Sequence, residues 1–287
     1  MKAVNTKASN RIGVASMAGE SASEWAASRS IRTYGVTVGI RTNKAEIVDR
    51  ILDCAPPLWK ASSTLRADRV FSFQVGGAGL RGRHLLLDDQ EGPVESRSLK
   101  PILEAFQFRS RVYVAEMARR RVFVHAGAVG WQGKAIIIPG RSMTGKSRLV
   151  AELVRCGATY YSDEYAVLDC QGRLHPYPQP LEIRKAESVK KRKWMPEEIG
   201  GTTGTRPLPV GLVVISRHEV DAAWCPEPCS SGQAILELLA NTASARRKPE
   251  VVVPTLHKVV SGASLLKGAR GEAEETARLI LEKASRY

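Results

Sequence analysis

Apolar positions along the chain change period several times, and each change marks an element. Residues 135–138, Ala-Ile-Ile-Ile, form an unbroken apolar run, the mark of a buried strand. The next segment, 146–156, places Leu149, Val150, Leu153 and Val154 on one helical face, and Gly157 supplies a stop. Further runs predict strands at 122–124, 158–161, 165–168 and 212–216, with Gln171-Gly172 turning a hairpin. Residues 99–120 read as a long helix opened by Pro101, and 232–244 and 271–285 as two helices that close the chain. Upstream, strand-like runs at 34–40, 69–75 and 84–87 flank a helical stretch at 44–54, which describes a small α/β unit. Residues 200–205, Gly-Gly-Thr-Thr-Gly-Thr, read as a flexible, hydroxyl-rich loop. The organisation expected is a flexible segment over 1–29, an α/β unit over 30–98 and a main α/β domain over 99–287.

Composition narrows the setting. At 287 residues with 43% apolar and 25% charged positions, the chain is ordinary for a globular protein with one large core or two modest ones. No apolar run approaches about 20 residues, so neither a transmembrane helix nor a membrane partner is expected. The N-terminus lacks the apolar core of a secretory signal, and a cytoplasmic location follows as the expectation. A mitochondrial-type presequence stays open, because Glu20 and Glu24 are the only acids there. Five cysteines make no even framework. Cys225 and Cys229 lack a second pair nearby and read as loop thiols rather than a zinc site. The formal net charge of +14 favours acidic partners: nucleotide, acidic peptide or protein, or nucleic acid. Much of it is clustered, at 119–121, 184–185, 190–193 and 246–248. Such a cluster is either an ordinary solvated face or a surface for anions.

Between the strand and the helix lies Gly140-Arg141-Ser142-Met143-Thr144-Gly145-Lys146-Ser147, a complete G-x-x-x-x-G-K-[ST] phosphate-binding loop. A chain of this length matches that pattern by chance on the order of one time in a hundred. Here it also stands where the physics requires, after a strand and opening a helix. Backbone N–H groups curl round a phosphate chain, and the helix N-terminus adds partial positive charge. Residues 140–148, including Arg148 in the first turn, are therefore the nucleotide-binding candidates. Lys146 would reach the β/γ-phosphates and the Ser147 hydroxyl would bind Mg²⁺. Such a site also needs carboxylates. Asp163-Glu164 ends the next strand, only 17 residues after Lys146, and a strand beside the P-loop strand would carry the pair to the phosphate edge of the sheet.

That short spacing resembles the P-loop fold shared by HPr kinase/phosphorylases and phosphoenolpyruvate carboxykinases, a mixed sheet with flanking helices. The segments that carry the likeness are Val124-His125-Ala126-Gly127-Ala128-Val129, residues 133–138 and residues 157–167. Residues 173–180 and 207–214 are similar to the shorter HPr kinase-related proteins, some of which modify ribosomal peptides. Two positions depart from the pattern. Met143 stands where the family loop has an inner glycine, and the acidic pair is Asp-Glu rather than Asp-Asp. The loop used for dephosphorylation is not recognisable, so neither phosphorylase activity nor HPr as substrate carries over. Motif likeness covers roughly residues 121–215.

The resemblance implies an ATP- and Mg²⁺-dependent kinase acting on a Ser/Thr-type hydroxyl of a peptide or protein. It implies that Asp163 accepts the hydroxyl proton, Ser147 and Glu164 hold Mg²⁺, and Lys146 neutralises the transferring phosphoryl. His125 would lie near the acidic pair, or else be a core histidine. The basic stretch 184–193 and the 200–205 loop would rim the acceptor opening, which suits an acidic peptide. Two alternatives stay open: a kinase for a free hydroxy amino acid or other small hydroxyl compound, and a nucleic-acid-associated P-loop NTPase. Against the latter, no nucleic-acid-binding motif is visible and aromatics are only 6%. A homo-oligomer is also left open.

Overall fold

The computed structural model describes residues 15–16, 25–64, 66–76, 82–140, 144–184 and 191–286. It is a mixed α/β protein of two compact units, residues 1–111 and 112–287, and the division falls inside the helix Leu99–Met117.

The first unit is a six-stranded mixed sheet in the order Lys60–Ala61, Ala27–Thr33, Val36–Thr42, Arg69–Val75, His84–Asp88, Val94–Ser96. Ala27–Thr33 starts inside the segment expected to be flexible. Ser28, Arg29 and Arg32 are exposed and the buried anchors are only Ile31 and Thr33, so the apolar signal is thin. Tyr34 and Gly35, both at positive φ, make the two-residue turn to the next strand. Phe106 packs edge-on against Phe71 and Phe73, with ring centroids 5.1 and 5.3 Å apart. Beside this core Asp88, its side chain fully buried, bridges Arg69 at 2.5 Å and Arg109 at 2.7 Å. Glu91 contacts both arginines from the rim.

The second unit is built around the strand Lys134–Pro139. Val122–Trp131 pairs antiparallel on one side through the Gln132-Gly133 turn, and Leu208–His218 pairs parallel on the other. Ser264–Arg270 continues the sheet in parallel, and Glu227–Pro228 edges it. On the far side of Val122–Trp131 run Thr159–Ser162 and Tyr165–Leu168, both antiparallel to it. Arg173–His175 pairs with Tyr165–Leu168 and with the start of Leu208–His218, closing a ring of strands. Side chains alternate across the central strand. Ile136 and Ile138 face the helices Lys146–Arg155 and Ala273–Ala284, while Ile137 faces Ser231–Ala240 and Pro249–Gly262. Helices thus cover both faces of the sheet.

Three expectations change. The strand after the P-loop helix is one strand removed from Lys134–Pro139, because Val122–Trp131 lies between them. Since both pair antiparallel with that strand, they point the same way and end at the same edge. Residues 200–205 are not a loose loop. Tyr160 N–H donates to Thr202 O and Gly204 N–H to Tyr160 O, and a Cβ at Gly201 or Gly204 would collide with the side chain of Val154 or Tyr161. These glycines serve close approach rather than flexibility. Of the basic stretch, residues 185–190, with Lys185 and Lys190, lie outside the described residues, and the segments on either side, Leu181–Arg184 and Lys191–Trp194, pair as antiparallel strands. Among the described residues, no helix is long and apolar enough to cross a membrane.

Candidate active site

The glycine loop 140–147 leaves the sheet at Gly140, whose N–H donates to the carbonyl of His125 on the neighbouring strand. Arg141, Ser142 and Met143, and with them the consequence of methionine in the loop, lie outside the described residues. Gly145 caps the helix Lys146–Arg155 at φ +78°, a left-handed conformation that glycine adopts freely. Lys146 is buried, with Nζ donating to Gly140 O at 2.5 Å. Burial pushes its amine down to about 8, against the opposing pull of the Glu164 and Asp163 charges. Arg148 turns outward and pairs with Glu272 at 3.3 Å.

The acidic pair owes its position to one bend. Thr159–Ser162 and Tyr165–Leu168 follow the same partner strand, Ser162 opposite Ala128 and Tyr165 opposite His125, and Asp163-Glu164 is the step between them. The Ser162 hydroxyl accepts from the N–H groups of Glu164 and Tyr165 at 3.1 and 2.9 Å, fixing the bend. Opposite stand Ala126-Gly127-Ala128, the smallest residues available. Gly127 also lies under the P-loop helix, where a Cβ would meet Val150 Cγ2 at 2.5 Å. One narrow strand therefore lets the phosphate helix and the carboxylates approach each other.

They meet at Asp163. Its carboxylate is hydrogen-bonded by the Ser147 hydroxyl, the Tyr160 hydroxyl at 3.0 Å and the backbone N–H of Glu182. Burial raises its affinity for a proton, and these hydrogen bonds offset part of the rise. Tyr160 is itself buried and lies 2.8 Å from Gln179 O. His125 is half-buried, tilted against Tyr165, with its backbone N–H donating to Asn241 O. Burial first, and the Lys146 charge second, hold its imidazole at about 4, so it is neutral at physiological pH.

His125, Lys146, Ser147, Asp163 and Glu164 thus converge from three separate segments of the chain. The hydroxyl of Ser147 and the carboxylate of Glu164 are hard oxygen donors of the kind Mg²⁺ takes. Among the described residues no group of three or more His, Cys, Asp or Glu side chains is arranged to hold a metal by protein ligands alone. Cys225 is exposed and Cys229 half-buried, with Glu227–Pro228 between them paired to Ser264–Arg270.

Three participants carried no clear sequence signal: Tyr160, the Glu182 N–H and Arg270. Arg270 ends the last strand, is 2% exposed, and donates from Nη2 to the Thr144 carbonyl at 2.8 Å. An arginine after Gly-Ala at the end of an ambiguous run does not announce a contact 126 residues upstream.

A scan against models of known protein families finds no match to this chain, and a search of curated proteins finds no relative.

Proposed function

We propose that the protein is a Mg²⁺- and ATP-dependent kinase of the HPr kinase-like class, on the P-loop fold that class shares with phosphoenolpyruvate carboxykinases. It transfers the γ-phosphoryl group to a Ser/Thr-type hydroxyl of a peptide or protein. The observation that carries this reading is the hydrogen bond between Ser147, the last residue of the P-loop, and Asp163, with Lys146 and Glu164 beside them.

The chemistry is positioning and charge neutralisation. The acceptor oxygen bonds to the γ-phosphorus as the bond from that phosphorus to the β,γ-bridging oxygen breaks, and ADP leaves. The acceptor's proton passes to Asp163, whose raised proton affinity suits a base that must hold the proton during transfer. Lys146, protonated beside the phosphates, balances the charge that spreads over the γ-oxygens. Ser147 and Glu164 would hold Mg²⁺, which would supply further charge neutralisation at the phosphates. Neutral His125 adds no charge to the site and lines the side next to Lys146.

The test is incubation with γ-labelled ATP, Mg²⁺ and candidate hydroxyl acceptors, peptide and free amino acid alike, with the product identified by mass. Label should appear on an acceptor hydroxyl and vanish with Lys146→Ala. Transfer by Lys146→Ala at the wild-type rate would overturn the site assignment. The +14 charge favours one second reading, a nucleic-acid-associated NTPase. It predicts ATP hydrolysis stimulated by generic DNA or RNA and binding that weakens steeply with salt.

A further inference from the structure

The described P-loop residues touch a charge that the kinase chemistry leaves unused. Ser264–Arg270 runs parallel to Leu208–His218, which runs parallel to the P-loop strand, so its last residue emerges at the phosphate edge of the sheet. That residue is Arg270. Its Nη2 donates to Thr144 O at 2.8 Å, and its guanidinium lies so close to Gly145 that a Cβ there would come within 2.8 Å of Nη2. The side chain is held from water; Nη1 reaches only Gly271 O, at 3.5 Å, and among the described residues Nε has no hydrogen-bond partner. Among the described residues, the charges that act on it are Glu272 and, opposing it, Arg148. Burying a guanidinium with so few acceptors is unfavourable, and an apolar residue would fill the space at lower free energy. Stability alone does not explain it.

Peptide geometry does. In a trans peptide the C=O of one residue and the N–H of the next point in opposite directions and turn together. Fixing the Thr144 carbonyl against Arg270 therefore fixes the Gly145 N–H on the opposite side. Gly145, lacking a side chain and sitting at φ +78°, could otherwise let this peptide turn over at little cost.

On the reading that this loop binds ATP, we infer that Arg270 is a positioning residue of the phosphate site: it holds the Thr144–Gly145 peptide so that the Gly145 N–H faces the phosphate chain. The arginine acts from behind the loop, through the backbone, and touches no phosphate itself.

The test is calorimetric titration of wild type, Arg270→Met and Arg270→Lys with ATP in Mg²⁺, with circular dichroism melts on the same samples. One aligned N–H, polarised by a buried cation, accounts for roughly 10- to 100-fold in affinity. Arg270→Met should bind ATP weaker by about that factor at unchanged stoichiometry. Arg270→Lys, which can still reach a single carbonyl, should recover part of the loss. A merely structural arginine would lower the binding-competent fraction, and so the stoichiometry, while leaving the dissociation constant alone. If Arg270→Met does not fold, Arg270→Lys decides: an affinity equal to wild type at unchanged stoichiometry, where Lys offers one donor in place of a fork, overturns the inference. Wild type that binds ATP together with variants that bind equally well would sink the role of Arg270 and leave the kinase reading standing. Wild type that binds no ATP would sink both.

Discussion

Replacing Gly127 by alanine should separate the phosphate helix from the strand beneath it. The added Cβ would lie 2.5 Å from Val150 Cγ2, whereas carbon atoms pack best at about 3.5–4.0 Å. The helix Lys146–Arg155 must therefore back away by about 1 Å, or Val150 must leave its rotamer. Val150 belongs to the core and Gly127 is buried beneath it, so overpacking should remove about 1–3 kcal/mol of stability. Val150→Ala alone deletes two buried methyl groups, a loss of about 2 kcal/mol once the residual cavity is included. In the double variant the methyl added at position 127 moves into the space that Val150 vacates. The double variant should then be little worse than Val150→Ala, and the cycle should show a coupling of about 1–3 kcal/mol. Urea denaturation of the four proteins measures it. The same samples should show weaker ATP binding in Gly127→Ala, because the displaced helix carries Lys146 and Ser147 away from Asp163, and recovery in the double variant. Losses additive to within about 0.5 kcal/mol would refute the close-approach argument.

The two carboxylates should separate by role. Asp163→Asn should cut turnover by about 10²–10⁴-fold while sparing ATP binding, and Glu164→Gln should chiefly raise the Mg²⁺ concentration needed, both read from steady-state kinetics. Equal loss of ATP binding in both would argue for a joint metal-binding or structural role. Asp88→Asn strips the buried Arg69 of its main partner and should destabilise the first unit by about 3–5 kcal/mol in a denaturant titration. Burial alone would raise the Asp88 carboxyl, but hydrogen bonds from Gln90, Arg69 and Glu91, and the Arg69 charge, hold it below the ordinary 3.8. Its stabilisation is therefore fully present above pH 3.8, and wild type should lose it only as the pH falls through the depressed native value, a dependence missing in Asp88→Asn. Replacing Lys190, Lys191, Arg192 and Lys193 by serine should raise the acceptor KM and flatten its salt dependence with ATP affinity unchanged; an unchanged KM at low salt returns the cluster to ordinary surface.

The meeting of the glycine loop and the acidic pair at one edge of the sheet is legible in the chain because its signals are local. Strand, glycine loop and helix follow one another within 22 residues, and the carboxylates lie one helix and one strand beyond. What escaped depends on contacts distant in sequence. Val122–Trp131 runs seven residues past Val124, where the apolar run alone ends, because Ala126-Gly127-Ala128 has little intrinsic strand preference and is placed there by packing; only the family resemblance of residues 124–129 marks a strand there. The helix Pro249–Gly262 was missed because Val251, Val252, Val253 and an internal Pro254 argue against it locally. Val252, Leu256, Val259 and Val260 nevertheless share one buried face, and Pro249 fits the first turn. Ser264–Arg270 was missed because Lys267-Gly268 breaks its apolar run; parallel pairing with Leu208–His218 holds it in place. The 200–205 segment misled because glycine marks tight packing as readily as a mobile loop.

The order in which the strands enter the sheet has a consequence for synthesis of the chain. When Ser147 has left the ribosome the whole nucleotide motif has been made, yet the central strand has only its antiparallel neighbour. Its parallel partner, Leu208–His218, comes more than one helix and several strands later, and Arg270 follows Thr144 by 126 residues. Such non-local pairings close slowly. A nascent chain therefore displays the motif long before the sheet that aims it is complete, and a fragment ending before Ser264 would carry the full consensus without the strand behind the loop.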